Sequence, residues 1–297
     1  MKKLAKNIKR IGLIANLEKP KCRAIIRAAA ALIRKNHRQV LVEAATAKFA
    51  GLNVDTLPDA GALTRHVDLL MVCGGDGTML RVARACAGSQ TPILGVNAGG
   101  LGFLTDVPQA QLPLALEQIF AGETVLETRP LIEAHATLRG QPFTQLALND
   151  FVITRGAAPR LIELEVSVDN IIMTRYRCDG IIVCTPTGST AYSLAAGGAV
   201  VSPTAAVLTI TPICPHTLSN RSVIVSLQSK IQVRILSRRV ETILTADGQS
   251  TVPLNPQDCI TIQQSAHAIR LLHLSGSSFF ETLRRKLNWS GSHVRHS

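Results

Sequence analysis

The segment 71–84, "MVCGGDGTMLRVAR", constrains the fold more than any other part of the chain. An apolar run ends in Gly74 and Gly75, Asp76 follows, and Gly77-Thr78 opens a helical pattern. Strand, glycine turn and helix in that order build a cradle for anions. Glycine lets the backbone approach a ligand, and the helix start presents amides without partners. The same residues also make a plain strand-to-helix turn with Asp76 as its N-cap. A negative charge inside an anion cradle calls for a partner that is not itself an anion.

The surrounding pattern predicts the rest of the first 125 residues. Short apolar runs at 11–15, 40–42, 69–73 and 93–96 alternate with helix-like segments at 24–34, 79–87 and 111–120. Such alternation implies a parallel sheet with helices packed on it, and places a ligand at the carboxyl ends of the strands. Beyond residue 125 the texture changes to "ELEVSVD", "SVIVSL", "IQVRIL" and "IRLLHL", separated by turns such as "RGQP", "VDN" and "NPQD". That is the pattern of an antiparallel sandwich. The segment "SSFFETLRRKLNW" is helical again, with Ser277 or Ser278 as cap and Phe280, Leu283 and Leu287 on one face. The expected organisation is an α/β N-terminal domain with a parallel sheet over 1–125 and a mainly β, sandwich-like C-terminal domain over 126–276. A last helix and tail over 277–297 return to the first domain.

Composition excludes several functions. At 46% hydrophobic and 18% charged, 297 residues make a globular chain that suits two domains. Seven dispersed cysteines, with no C-x-x-C pair, form no metal-ligand spacing with the eight histidines and read as free thiols of a cytoplasmic protein. The N-terminal "MKKLAKNIKRIGLIANLEKPK" has too short an apolar core for a signal peptide, and no run approaches the ~18 residues of a membrane span. Net charge is +12, gathered at Lys2, Lys3, Lys6, Lys9 and Arg10, at Arg238-Arg239 and at Arg284-Arg285-Lys286. Ten aromatics in the whole chain are too few for nucleic-acid stacking, so the charge reads as a solvated surface or as an attraction for polyanionic small molecules.

Two further stretches carry chemistry. In "DGIIVCTPTGSTAYSLAAGG", residues 179–198, a buried strand runs into four hydroxyls and a glycine at a helix start. These are either a set of ligand donors and acceptors or an elaborate capping loop. "LALNDFVITRG" sets Asn149-Asp150 within an apolar strand pattern, either as a bulge or turn or as an amide and carboxylate that grip ribose hydroxyls and a base edge.

Taken with "TPICPHTLSNR", "ADGQ" and "FFETLRRKLNW", these motifs resemble, in order and spacing, the bacterial NAD kinases that use ATP or polyphosphate. The glycine turn alone is also similar to that of diacylglycerol and sphingosine kinases and of 6-phosphofructokinases, whereas "TPTGSTAYS" with the Asn-Asp pair is similar only to the NAD kinases. The resemblance implies phosphoryl transfer from ATP or polyphosphate to the 2′-hydroxyl of the adenosine ribose of NAD. It implies a divalent ion, Mg²⁺, carried with ATP, and a homo-oligomer, dimer or tetramer. It makes Asp76 the proton acceptor, sets Asp76-Gly77 against the adenosine, and has Arg81 reach a phosphate. Asn149 and Asp150 would grip NAD, with Asp150 where many relatives carry glutamate. Arg160 matches a position where relatives can have histidine. Arg177 and Asp179 match positions that reach a neighbouring subunit's nicotinamide half. Thr190, Ala191, Tyr192, Ser193, Leu194 and Ala195 would line the adenosine pocket, and Gln249 would close it. A lipid kinase and a non-catalytic NAD(P) sensor are the rival readings.

Overall fold

A computed structural model of the chain describes residues 8–100, 102–105, 107–217 and 221–289, with the backbone alone at 2–3. The side chains of Lys2 and Lys3, all of Lys6, residues 218–220 of "TPICPHTLSNR" and the tail 290–297 lie outside the described residues. Two compact units make up the chain. One comprises residues 1–128 and 269–297, the other residues 129–268.

The first unit is built on parallel strands β1 (Arg10–Ala15), β2 (Gln39–Glu43), β3 (Thr56–Leu57), β4 (Leu69–Gly74) and β5 (Ile93–Asn97), in the order β5-β4-β1-β2-β3. The short β6 (Val107–Pro108) adds beside β5. Helices α1 (Lys21–Lys35), α2 (Ala44–Ala50), α3 (Ala60–Thr64), α4 (Asp76–Ala85) and α5 (Leu112–Ala121) connect the strands. Sequence periodicity finds α1, α4 and α5, but not the short α2 and α3. β4 is buried along its whole length, as a parallel strand covered on both faces must be. Helix α1 buries Cys22, Ile25, Ile26, Ala29, Ala30 and Ile33, a stripe at 3- and 4-residue steps. The chain winds one way from β1 through β2 to β3 and the other way from β4 to β5. The order therefore reverses between β1 and β4, and the loops leaving those two strands flank the crevice where such sheets bind ligands.

The second unit is antiparallel. One sheet runs β11 (Ile171–Cys178), β10 (Ile162–Val168), β15 (Ile231–Ile235) and the first part of β18 (Cys259–Leu274). The other runs β14 (Val223–Ser226), β13 (Val207–Ile213), β12 (Gly180–Cys184), β9 (Asp150–Arg155), β16 (Thr242–Ala246) and β17 (Ser250–Leu254). Leu164, Val166, Val233 and Ile260 from the first sheet share a buried core with Phe151, Ile153, Ile181, Val183 and Ile210 from the second. Alternate residues of each strand face this core, which is the period-2 pattern seen in the sequence. The hairpin β10–β11 turns on Asp169 (φ 51°) and Asn170 (φ 67°), two residue types that tolerate the left-handed region. β7 (Thr124–Leu138) pairs antiparallel with β8 (Gln141–Ala147) and, near its start, with a two-residue strand at Lys2–Lys3.

The last helix, α7 (Phe279–Leu287), belongs to the first unit. Ser278 is its N-cap but makes no side-chain capping bond. Its expected apolar face is only partly apolar in fact. Leu283 is buried, whereas Phe280 is 61% exposed, because Phe279 makes the packing contact instead, its ring 6.3 Å from that of Phe103.

Candidate active site

In the first unit, β4 delivers Gly74, the extended Gly75 caps α4, and Asp76 takes the first helical position. Asp76 is thus not the N-cap. Its carboxylate turns to the loop after β5, accepting hydrogen bonds from the amides of Phe103 (2.9 Å) and Leu104 (3.0 Å) and from the Thr105 hydroxyl (3.4 Å). Gly102 makes this approach possible, since a Cβ there would stand 2.1 Å from Asp76 Oδ1. The loop is braced from below by Asn97, whose Nδ2 donates to the carbonyls of Gly100 (2.7 Å) and Thr105 (3.3 Å). From the other side α7 closes on it, with the Lys286 ammonium 4.9 Å over the Phe103 ring. Oδ1 accepts two of these bonds and Oδ2 only one, so Oδ2 keeps a lone pair to which a hydroxyl can still donate, on a side chain that is partly exposed.

Gly77 is exposed beside it. Arg81, about half exposed, stands 3.9 Å from Glu43, whose other oxygen accepts from Thr46 (2.8 Å). At this distance the buried Glu43 holds the half-exposed guanidinium only loosely. A cavity of about 260 Å³, lined among others by Lys21, Asn97, Gly99, Thr105 and Arg285, opens next to the loop.

In the second unit, Asn149-Asp150 does not interrupt one strand. β8 ends at Ala147 and β9 begins at Asp150, so the pair stands at a strand junction. Asp247 fixes that junction. Its carboxylate accepts from the amides of Leu148 (3.1 Å), Asn149 (2.7 Å) and Asp150 (3.3 Å). The Asn149 side-chain oxygen is buried and makes no hydrogen bond to the described residues. Such an orphan is costly unless a ligand or water meets it. Burial raises the Asp150 carboxyl to about 7, and the nearby Asp247 charge adds to the shift.

Loop 185–190 packs on the same junction. The Thr185 amide donates to the Asn149 carbonyl (2.9 Å) and its hydroxyl to the Leu148 carbonyl (2.6 Å). The four hydroxyls of this loop are largely spent inside the protein. Ser189 donates to Pro186, Thr190 to Thr187, and Thr187 accepts from the buried Arg129 (3.0 Å). The helix that follows, α6 (Tyr192–Ala195), has four residues. Of the two readings the sequence leaves open for this stretch, these internal bonds favour the capping loop.

Around it, Ser193 shares a hydrogen bond with Thr211 (2.9 Å), Tyr192 is 47% exposed, and Ala191 and Leu194 are partly buried beside the exposed Ala195. Asp179 is held by Arg155 at 2.6 Å. Arg160, Arg177 and Gln249 are exposed. The second unit therefore joins Asn149, Asp150 and the start of loop 185–190 into one cluster, and leaves Arg160 and Arg177 on the surface. Sequence reasoning missed Asp247, Arg129 and loop 99–105. The glycines in "NAGGLGF" were the available signal for that loop.

A carboxylate-bearing glycine turn at the switch point of one unit, with an amide–carboxylate junction in a β-sandwich unit, is the build of a two-domain small-molecule kinase. Residues 11–124 match the model of the ATP-NAD kinase N-terminal domain, and residues 148–274 that of the ATP-NAD kinase C-terminal domain. The chain is 41% identical over 283 residues to an NAD kinase of Syntrophotalea carbinolica, covering 95% of this chain and 99% of that one. It is 40% identical over 288 residues to an NAD kinase of Moorella thermoacetica, covering 96% and 91%. Among solved structures, yeast NADH kinase complexed with NADH superposes with a TM-score of 0.87 at 25% identity, covering 98% of this chain and 90% of that one. An NAD kinase from Archaeoglobus fulgidus in complex with ATP gives 0.74 at 26%, covering 95% and 100%. The chain belongs to the NAD kinase family. These relatives are NAD kinases and not lipid kinases, which decides the choice that the glycine turn alone leaves open.

Proposed function

We propose that the protein transfers a phosphoryl group from ATP, or from polyphosphate, to the 2′-hydroxyl of the adenosine ribose of NAD, giving NADP. Family membership carries this reading, and the site chemistry agrees with it. Phosphoryl transfer asks little covalent work of a protein. It needs alignment, charge neutralisation and an acceptor for the nucleophile's proton. Asp76 is that acceptor. Amides of loop 99–105 aim its carboxylate, and its partner is the hydroxyl beside the phosphate. Asn149, with its unpaired buried oxygen, reads a base or ribose donor, and Asp150 accepts a ribose hydroxyl.

Gly77, Arg81, Arg160, Asp179, Gln249 and residues 190–195 complete the nucleotide contacts in this reading. Mg²⁺ enters as part of the ATP substrate, with most of its ligands from phosphates and water. The solved relatives support both substrates, one being a complex with NADH and the other with ATP. β11, at the edge of its sheet, exposes Ile171 (73%) and Ile172 (58%) at its start and Arg177 near its end, which supports a homo-oligomer in which this edge is covered. Light scattering of an Ile171→Ser/Ile172→Ser variant checks this, and an unchanged mass contradicts it. No helix among the described residues is long and apolar enough to cross a membrane, and free cysteines support a reducing, cytoplasmic setting.

The test is NADP formation by the purified protein from NAD with magnesium and ATP or polyphosphate. Stoichiometric NADP and ADP are expected with ATP. Tight NAD(P) binding without turnover would make the protein a sensor.

A further inference from the structure

The loops that leave β1, β4 and β5 meet at the point where the strand order reverses, and one side chain there has no role so far. Lys19 lies in the loop after β1. A Cβ built on Gly75, after β4, would come 3.1 Å from the Lys19 ammonium nitrogen, and one built on Gly99, after β5, would come 3.6 Å from it. The ammonium therefore occupies the space that two glycines leave open, one in each turn. No ion pair holds it among the described residues, although Asp76 is the next residue after Gly75. Asp76 is instead held by amides of loop 99–105. The loop carrying Lys19 is also fixed to the glycine turn. The Asn16 amide donates to the Cys73 carbonyl (2.8 Å), and Asn16 Nδ2 donates to the Thr78 hydroxyl (3.1 Å).

We propose that Lys19 is a catalytic residue of the transfer, its ammonium meeting the donor's phosphoryl oxygens between the glycine turns 74–75 and 99–100. This rests on the phosphoryl-transfer reading above. In the step, the bond from the transferred phosphorus to its bridging oxygen breaks while the bond to the ribose oxygen forms. The hydroxyl proton passes to Asp76, and the leaving phosphate keeps the electron pair. Lys19 exchanges no proton. A fixed cation at that position stabilises charge that grows on the phosphoryl and leaving oxygens, without reorganising during the reaction. A carboxylate for the hydroxyl and an ammonium for the phosphate then flank the same turn.

Lys19→Met keeps most of the aliphatic stem and removes the charge, Lys19→Arg keeps the charge, and Lys48→Met, on the exposed end of α2, controls for net charge. The readouts are kcat and KM for ATP in the complete enzyme, and NAD affinity by calorimetry without donor. Lys19→Met should lower kcat/KM for ATP on the order of 10²-fold, the usual loss for one preorganised charge-stabilising group. NAD affinity should stay within about twofold, since that group acts on the donor alone. Lys19→Arg should recover most of the loss, and Lys48→Met should behave like the parent. Parental kcat/KM in Lys19→Met overturns the inference, as does an equal loss of NAD affinity. A parent enzyme that forms no NADP overturns the kinase reading itself, and the inference with it.

Discussion

At the scale of single residues, two carboxylates have opposite surroundings and should respond differently to substitution. Asp76 is partly exposed and accepts from two backbone amides on separate oxygens. Asp76→Asn keeps the shape but turns one acceptor oxygen into a donor facing an amide. Turnover should fall about 10²–10⁴-fold, the range for a positioned general base. Stability should fall by about 1–3 kcal/mol, because one loop amide loses its acceptor. Binding of NAD should stay near parental. Turnover close to that of the parent in a coupled NADP assay would remove Asp76 from the chemistry. Asp150 is buried, and its carboxyl titrates at about 7 instead of the usual 3.8. Its folded value is raised, so the stability this group contributes is complete below about pH 4 and is lost as pH rises through about 7. Asp150→Asn should therefore gain stability relative to the parent between pH 5 and pH 8, by on the order of a few kcal/mol. The ionised form is the better acceptor for a ribose hydroxyl, so parental KM for NAD should drop as pH rises through 7 and the variant's should not. Parallel stability profiles for the two proteins would contradict this.

At the scale of elements, strands and helices are legible where a continuous apolar run gives way to a period of about 3.6, as between β4 and α4. Turn chemistry is equally legible, since Asp169-Asn170 stand where left-handed backbone is required. What a linear reading misses is pairing across distance. Asp76 is held by residues 27 and 28 positions later, and Asp247 caps amides 97 to 99 positions earlier. Neither spacing leaves a periodic trace. Loop 185–190 shows the converse, because its composition suggests ligand donors while its hydroxyls bond within the protein. The loop backs the Asn149 junction through Thr185. Gly188 is required there, as a Cβ would sit 2.2 Å from the Asn149 carbonyl oxygen and 2.6 Å from the carbonyl carbon. Both are backbone atoms and cannot rotate away. Gly188→Ala should cost about 1–3 kcal/mol by overpacking and should raise KM for NAD more than it lowers kcat. Denaturant unfolding and steady-state kinetics check both, and a variant that matches the parent in each would separate the loop from the NAD site.

At the scale of the whole molecule, net charge is the property to test. A chain of 297 residues carrying +12 attracts polyanions from beyond contact distance, and this attraction weakens with ionic strength. ATP and polyphosphate carry far more negative charge than NAD, so the donor should feel the field more than the acceptor. Raising KCl from roughly 0.05 to 0.5 M shortens the screening length from about 14 Å to about 4 Å. Over that range kcat/KM should fall most for polyphosphate, less for ATP and least for NAD, with kcat nearly constant. Screening acts on the summed field and not on one ammonium. Lys19→Met should therefore lower the whole ATP curve while keeping most of its slope. Equal salt slopes for NAD and ATP would show that the surplus charge only solvates the surface. A slope abolished by Lys19→Met would assign the attraction to the site alone.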